Sequence, residues 1–207
     1  GINNRKAARI AGRLMGQFLG GTGKIAVVSS AIASENNNYY VQVRETEFAD
    51  FIHKEYPDIE IITTLDSFED PQITYEKTVK LLRDYQDLQG IYITCGGVSQ
   101  VGRALEESGR AKDIRVISFE DYPEVVDLIR KDVIDCTLAG ELQQQGEIPV
   151  QIIMDYLVFG KEPEQQQIFT DIRVLVKPVN QLKKIFAFWS KYFLQGYEHE
   201  LVPEIFF

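Results

Sequence analysis

Amides, carboxylates and aromatic rings gather at a few points of this chain. Asn36, Asn37 and Asn38 run into Tyr39 and Tyr40, with Ser34 and Glu35 just ahead; a Gly96-Gly97 pair follows Thr94 and Cys95; and Glu120, Asp121 and Tyr122 stand in a row. Amides donate and accept, carboxylates accept, and a tyrosine ring offers a flat apolar face with a polar tip. That mixture suits the hydroxyls and ring faces of a sugar. Loops beyond strands are polar in any protein, so residue type alone leaves a solvated loop and a ligand contact equally open. The candidates it singles out are Asn36, Asn38, Tyr40, Gly97, Glu120 and Tyr122.

Other chemistries fail on spacing. Gly20-Gly21-Thr22-Gly23-Lys24 has the glycines and lysine of a phosphate loop, but Phe18 stands where the motif's first Gly belongs and Ile25 follows the lysine. A phosphate loop also leads from strand to helix, whereas this segment leads from helix to strand. It reads as a turn. His53 and His199 lack a second histidine or a cysteine pair at metal-ligand spacing, so no metal is expected. Ser29, Ser30 and Ser34 have no nucleophile-elbow glycines around them, and Asp66 and Glu69 read as strand-end or helix-cap residues. No catalytic residue and no cofactor are expected.

The elements that must position these residues alternate. Helical spacing covers Asn4–Leu19, Val41–Tyr56, Gln72–Leu88, Val98–Gly109 and Pro123–Lys131. Between them lie strand-like runs at Lys24–Ser30, Glu60–Leu65, Gly90–Thr94 and Ile114–Phe119, the first a continuous apolar run with the pattern of a strand buried on both faces. This rhythm predicts an α/β fold with a doubly wound parallel sheet. In such sheets ligands bind beyond the carboxyl ends of the strands, which is where the candidates fall. Later the rhythm changes, with a strand at Val133–Leu138, a helix at Gln144–Phe159 and a strand at Ile168–Val176. A tail over Gln181–Phe207 is dense in aromatics, Trp189 among them, and reads either as a packing segment or as an oligomer contact.

Composition limits the partners. The 207 residues carry 22 Lys and Arg against 31 Asp and Glu, a net charge of −9. Such a chain does not track a phosphate backbone by itself, because that affinity comes from cations displacing counterions. Two cysteines, Cys95 and Cys136, both in apolar runs, are too few for a disulfide framework and read as a cytosolic thiol pair, with one bridge the alternative. No run of about 18 apolar residues suggests a membrane span.

The order "GINNRKAARIAGRL", "GKIAVVSS", "VRETEF", "GIYIT", "IRVISFEDYPEVV" and "QQGEIPVQIIMDYL" resembles the lactose-repressor family of transcriptional regulators and the periplasmic sugar-binding proteins related to it. The resemblance implies the periplasmic-binding-protein type I fold, mainly its C-terminal subdomain over residues 3–140. It implies a helix and strand over 141–180 that cross to and from an N-terminal subdomain, with the aromatic tail at 181–207 beyond. It places Asn3 where relatives carry a ligand-contacting Asp, Arg44 on an arginine that in many relatives reaches the sugar, and Glu120 on the first Asp of a G-F-D-D segment. Arg44 by its position on a helix also fits a surface ion pair. Glu47 replaces the family glycine after Arg44, and Gly140 falls where a glutamine is usual, while Gln145-Gly146 keep a Q-G pair. The implied function is effector binding in a cytoplasmic, homodimeric transcriptional regulator that reaches operator DNA through a part outside this chain. The alternative is the solute-binding protein of a sugar ABC transporter or receptor. With the N-terminal subdomain outside the chain, the apolar side of the late helix is expected to pack on a second copy or on the tail.

Overall fold

Side chains on Ile25-Ala26-Val27-Val28 are fully buried because they alternate between two cores, one on each face of a sheet. The computed structural model describes residues 1–30 and 39–178. In chain order these form α1 (Asn4–Phe18), β1 (Thr22–Ser29), α2 (Tyr39–Glu55), β2 (Asp58–Asp66), α3 (Pro71–Asp84), β3 (Leu88–Ile93), α4 (Val98–Ser108), β4 (Arg115–Phe119), α5 (Pro123–Arg130), β5 (Cys136–Gly140), α6 (Leu142–Phe159) and β6 (Ile172–Val176). Residues Gly1–Lys177 make one compact unit. The aromatic tail, like Ser34, Glu35, Asn36 and Asn38, lies outside the described residues.

The strands follow the order β2-β1-β3-β4-β5-β6, the first five parallel and β6 antiparallel to β5. The expected doubly wound parallel sheet is therefore present, with one antiparallel edge strand. Ile25, Val27, Tyr92, Ile117, Phe119 and Leu138 pack with α1 and α2, while Ala26, Val28, Ile91, Ile93 and Val116 pack with α3, α4 and α5. Pairing Val28 with both Leu65 and Ile93, and Phe119 with Leu138, brings the carboxyl ends of the strands to a common edge. The direction of winding reverses between β1 and β3, which opens a crevice at that edge.

Helix α1 begins at an Asn3 cap, whose side-chain oxygen accepts from the Lys6 amide at 3.0 Å. It buries Ala7, Ala8, Ala11 and Met15, and Gly12 and Gly16 let α2 approach closely, since a Cβ on Gly16 would overlap the Tyr56 ring. Arg5 and Arg9 both pair with Glu47 of α2, the residue that replaces the family glycine, so Glu47 is buried but neutralised.

Helix α6 is different in kind. None of its residues is buried, and Leu157 and Phe159 are 72% and 76% exposed. The expected cover for its apolar side is not found among the described residues. Arg173 of β6 pairs with Asp121 at 2.8 Å and with Glu141 at 2.6 Å, and the Thr170 amide donates to the Gly1 carbonyl at 3.0 Å. Three segments, at residues 1–4, 139–142 and 167–171, thus meet at the root of α6.

Candidate functional site

Arg44 is the centre of the crevice. On α2, Val41, Phe48 and Ile52 are buried, and Arg44 lies on the same helical face, one turn before Phe48. Phe48 stacks on Tyr92 of β3 at 4.0 Å between ring centroids, which fixes the helix against the sheet. The Arg44 side chain, 12% exposed, is held at the sheet edge rather than in solvent. Its Nε donates to Asn4 Oδ1 at 2.7 Å, one terminal nitrogen to the Thr94 carbonyl at 3.2 Å and the other to Glu120 Oε1 at 3.3 Å. The guanidinium lies 3.8 Å from the centre of the Phe119 ring. Arg44 thus forms an ion pair, with Glu120 at the sheet edge rather than with a neighbour on the exposed face of its helix.

Glu120 follows β4 with φ +69, a left-handed conformation that costs a non-glycine residue about 1 kcal/mol or more. Its backbone is held on both sides: the amide donates to the Leu138 carbonyl at 2.8 Å, and its carbonyl accepts from Thr137 Oγ1 at 2.7 Å. The strained turn swings the carboxylate toward Arg44. Phe68 and Glu69, just past β2, share the left-handed conformation, so two strand-end loops at this edge carry it.

Two cavities flank the Arg44–Glu120 pair. The larger, about 680 Å³, is lined by Asn3, Asn4, Tyr39, Tyr40, Gln145 and Phe169 beside the pair itself. The smaller, about 400 Å³, is lined by Glu69, Thr94, Cys95, Gly97 and Tyr122. Tyr39 and Tyr40 are exposed and meet edge to face at 5.8 Å between centroids. Burial pushes the Cys95 thiol up from its ordinary value, against hydrogen bonds from Ser67 and Ser30 that lower it. Burial also raises the Tyr92 hydroxyl, which keeps it neutral beside the arginine. Both cysteines are free thiols. Among the described residues no group of His, Cys, Asp and Glu could hold a metal ion, and no helix is long and apolar enough to cross a membrane.

The structure brings Arg44, Glu120, Asn3 and Tyr40 to one cavity, and Gly97 and Tyr122 to its neighbour. Asn3 spends its side-chain oxygen on the α1 cap, so only its amide nitrogen is left to offer. Gly97 starts α4 at φ +90 with Thr74 close behind, a backbone demand that glycine meets by itself. Asn36 and Asn38 lie outside the described residues. Asn4 and Gln145 were not among the sequence candidates. The signal for Asn4 is its place beside a cap at the head of a helix leading into the sheet; for Gln145 it is the glycine at 140, five residues earlier.

Residues 1–162 match the periplasmic binding protein domain, and the chain belongs to that family. Among solved structures, a sugar-binding protein of a sugar ABC transporter from Bacillus halodurans is 28% identical and superposes with a TM-score of 0.75 over 85% of this chain and 62% of its own. A glucose-galactose binding protein from Geobacillus stearothermophilus is 22% identical, TM-score 0.75, over 85% of this chain and 61% of that one. An ABC transporter solute-binding protein from Burkholderia graminis, in complex with D-arabinose, is 22% identical, TM-score 0.76, over 86% and 61%. The chain thus spans about three fifths of the length of these structures. No curated protein matches it.

These comparisons correct the expectation of a transcriptional regulator. The similar structures are sugar-binding proteins, several of them of ABC transporters, and the expectations of lactose-repressor type regulation, DNA binding and a cytoplasmic location fall with it. Operator DNA and the homodimer lose their basis as partners for the same reason. The motifs that suggested a regulator belong to a fold that both groups of proteins share, so they could not separate the two.

Proposed function

We propose that this protein is the sugar-binding component of an ABC transporter, and that it takes a neutral monosaccharide. One observation carries this reading: a cation and a carboxylate, Arg44 and Glu120, already paired at 3.3 Å and both facing the same cavity. A paired site presents donors and acceptors without net charge, which suits a polyol better than an anion or a cation. Arg44 has five N–H groups, of which three are engaged, leaving two to donate. The second carboxylate oxygen of Glu120 has no partner among the described residues and can accept. Tyr39 and Tyr40 offer ring faces to the apolar side of a pyranose or furanose.

In this reading residues 3–140 form one lobe of a two-lobed receptor and residues 141–180 cross to the other lobe and back. Ligand held against Arg44 and Glu120 stabilises the closed arrangement of the lobes, since it can favour only the state in which both touch it. The protein binds without turning over its ligand. Calorimetric titration with D-glucose, D-galactose, D-arabinose and D-xylose, alongside glucuronate and glucosamine, tests this. Binding of at least one neutral sugar, lost in Glu120→Ala, is the expected result. Binding of a charged sugar alone, or of none, overturns the reading.

A further inference from the structure

Gly140, the last residue of β5, sits where a side chain would have to share space with its neighbours. A Cβ there would overlap Nε2 of Gln145 and lie 2.6 Å from Ile2 Cγ2. Gln145 is in the first helical turns of α6, its amide donating to the Glu141 carbonyl at 3.0 Å, and its side chain folds back over Gly140. Gln145 and Gly140 line the larger cavity together with Arg44 and Glu120. Gln145 is half-buried, and its side-chain amide has no hydrogen-bond partner among the described residues. A partly desolvated amide with two donors and an acceptor, unpaired on a cavity wall, lacks the partners it would normally have.

We propose that Gln145 is a ligand-contacting residue that recognises sugar hydroxyls from the α6 side of the cleft, and that Gly140 is glycine so that this amide can lie there. The inference rests on the sugar-binding reading above. It assigns Gln145 a role distinct from that of Arg44 and Glu120, because Gln145 belongs to the segment that leaves the lobe, whereas they are fixed to the sheet. A sugar touching all three bridges the sheet edge and the root of α6. Gly140 is a positioning residue: it acts only by leaving room.

The test is a double-mutant cycle read by calorimetry with the tightest-binding sugar of the panel above. Gln145→Ala should weaken binding about tenfold, the loss of a hydrogen bond or two to a neutral amide. Gly140→Ala should weaken it similarly by displacing the same amide. In the Gln145→Ala background the Gly140→Ala change should cost little further, which a merely structural glycine would not show. Thermal unfolding of each variant separates misfolding from lost contact. Wild-type binding with Gln145→Ala unaffected overturns this inference and leaves the function standing. Additive losses at 140 and 145 overturn the role given to Gly140, and absence of sugar binding by the wild type overturns both readings.

Discussion

Replacing Arg44 with alanine probes whether the site is built into the fold or merely placed on it. The change removes three hydrogen bonds and a ring contact at once. Thr94 is fully buried, and its carbonyl has no substitute donor at hand, a cost of about 1–3 kcal/mol for an acceptor left unpaired. Phe119, also buried, loses a cation over its face, worth about 0.5–2 kcal/mol. Glu120 is 38% exposed, so water screens and replaces its half of the ion pair, and that contribution is held to about 1 kcal/mol at most. Water entering the space left by the side chain recovers part of every term. The expected net loss is about 2–4 kcal/mol, or a drop of roughly 5–15 °C in Tm for a domain of this size. Arg44→Lys keeps the charge but cannot reach three acceptors in three directions, and should recover less than half of the loss. Urea unfolding followed by far-ultraviolet circular dichroism, with equal slopes for wild type and variants, measures the difference. An Arg44→Ala protein within about 0.5 kcal/mol of wild type would refute the claim that this arginine is held in place by the sheet edge.

Other consequences are smaller and separable. Glu120→Gly relieves the left-handed strain while deleting the carboxylate, so stability should stay within about 1 kcal/mol of wild type while sugar affinity collapses; a large loss of stability would mean that the turn is not strained. Thiol titration should find Cys95 reacting slowly in the native protein, faster as pH rises, because its raised pKa keeps it protonated and therefore less nucleophilic near neutrality. Cys136, buried and pushed up to about 12 mainly by desolvation, should appear only after unfolding, and two reactive thiols in the native state would contradict the packing of β5. Gly16→Ala should destabilise by about 1 kcal/mol or more even though alanine favours helix, since overlap with the Tyr56 ring outweighs a propensity gain of about 1 kcal/mol. A stabilised Gly16→Ala protein would show that α1 and α2 are not in close contact there.

The parallel, doubly wound arrangement follows from features that act locally, and for that reason it can be read from residues alone, whereas the strand order β2-β1-β3-β4-β5-β6 comes from the structure. Unbroken apolar runs at Ile25–Val28 and Ile91–Ile93 demand cover on both faces, and helices between them leave a parallel sheet as the only economical arrangement. The edge strand β6 is harder to read. None of its residues is buried, which fits a sheet edge in either direction. At the site, position on the helix left Arg44 open to a surface ion pair, and the structure shows it on one face with Val41, Phe48 and Ile52, held at the sheet edge. Asn3 was harder, since a side-chain oxygen serves equally as a helix cap or a ligand contact, and the cap shows only in the 3.0 Å bond from the Lys6 amide. Glu120 needed the backbone: nothing in F-E-D-Y-P signals a left-handed turn, and without it the carboxylate would not meet Arg44. Helix α6 marks the limit of local reasoning from the other side. Its apolar residues predict burial, yet none is buried, because the surface that would cover them is not supplied by the described residues. Helices and strands of this fold meet the same physical demands in regulators and in solute-binding proteins, so their pattern reports the fold, while the distinction between DNA and a transporter as the final partner resides in surfaces that meet that partner.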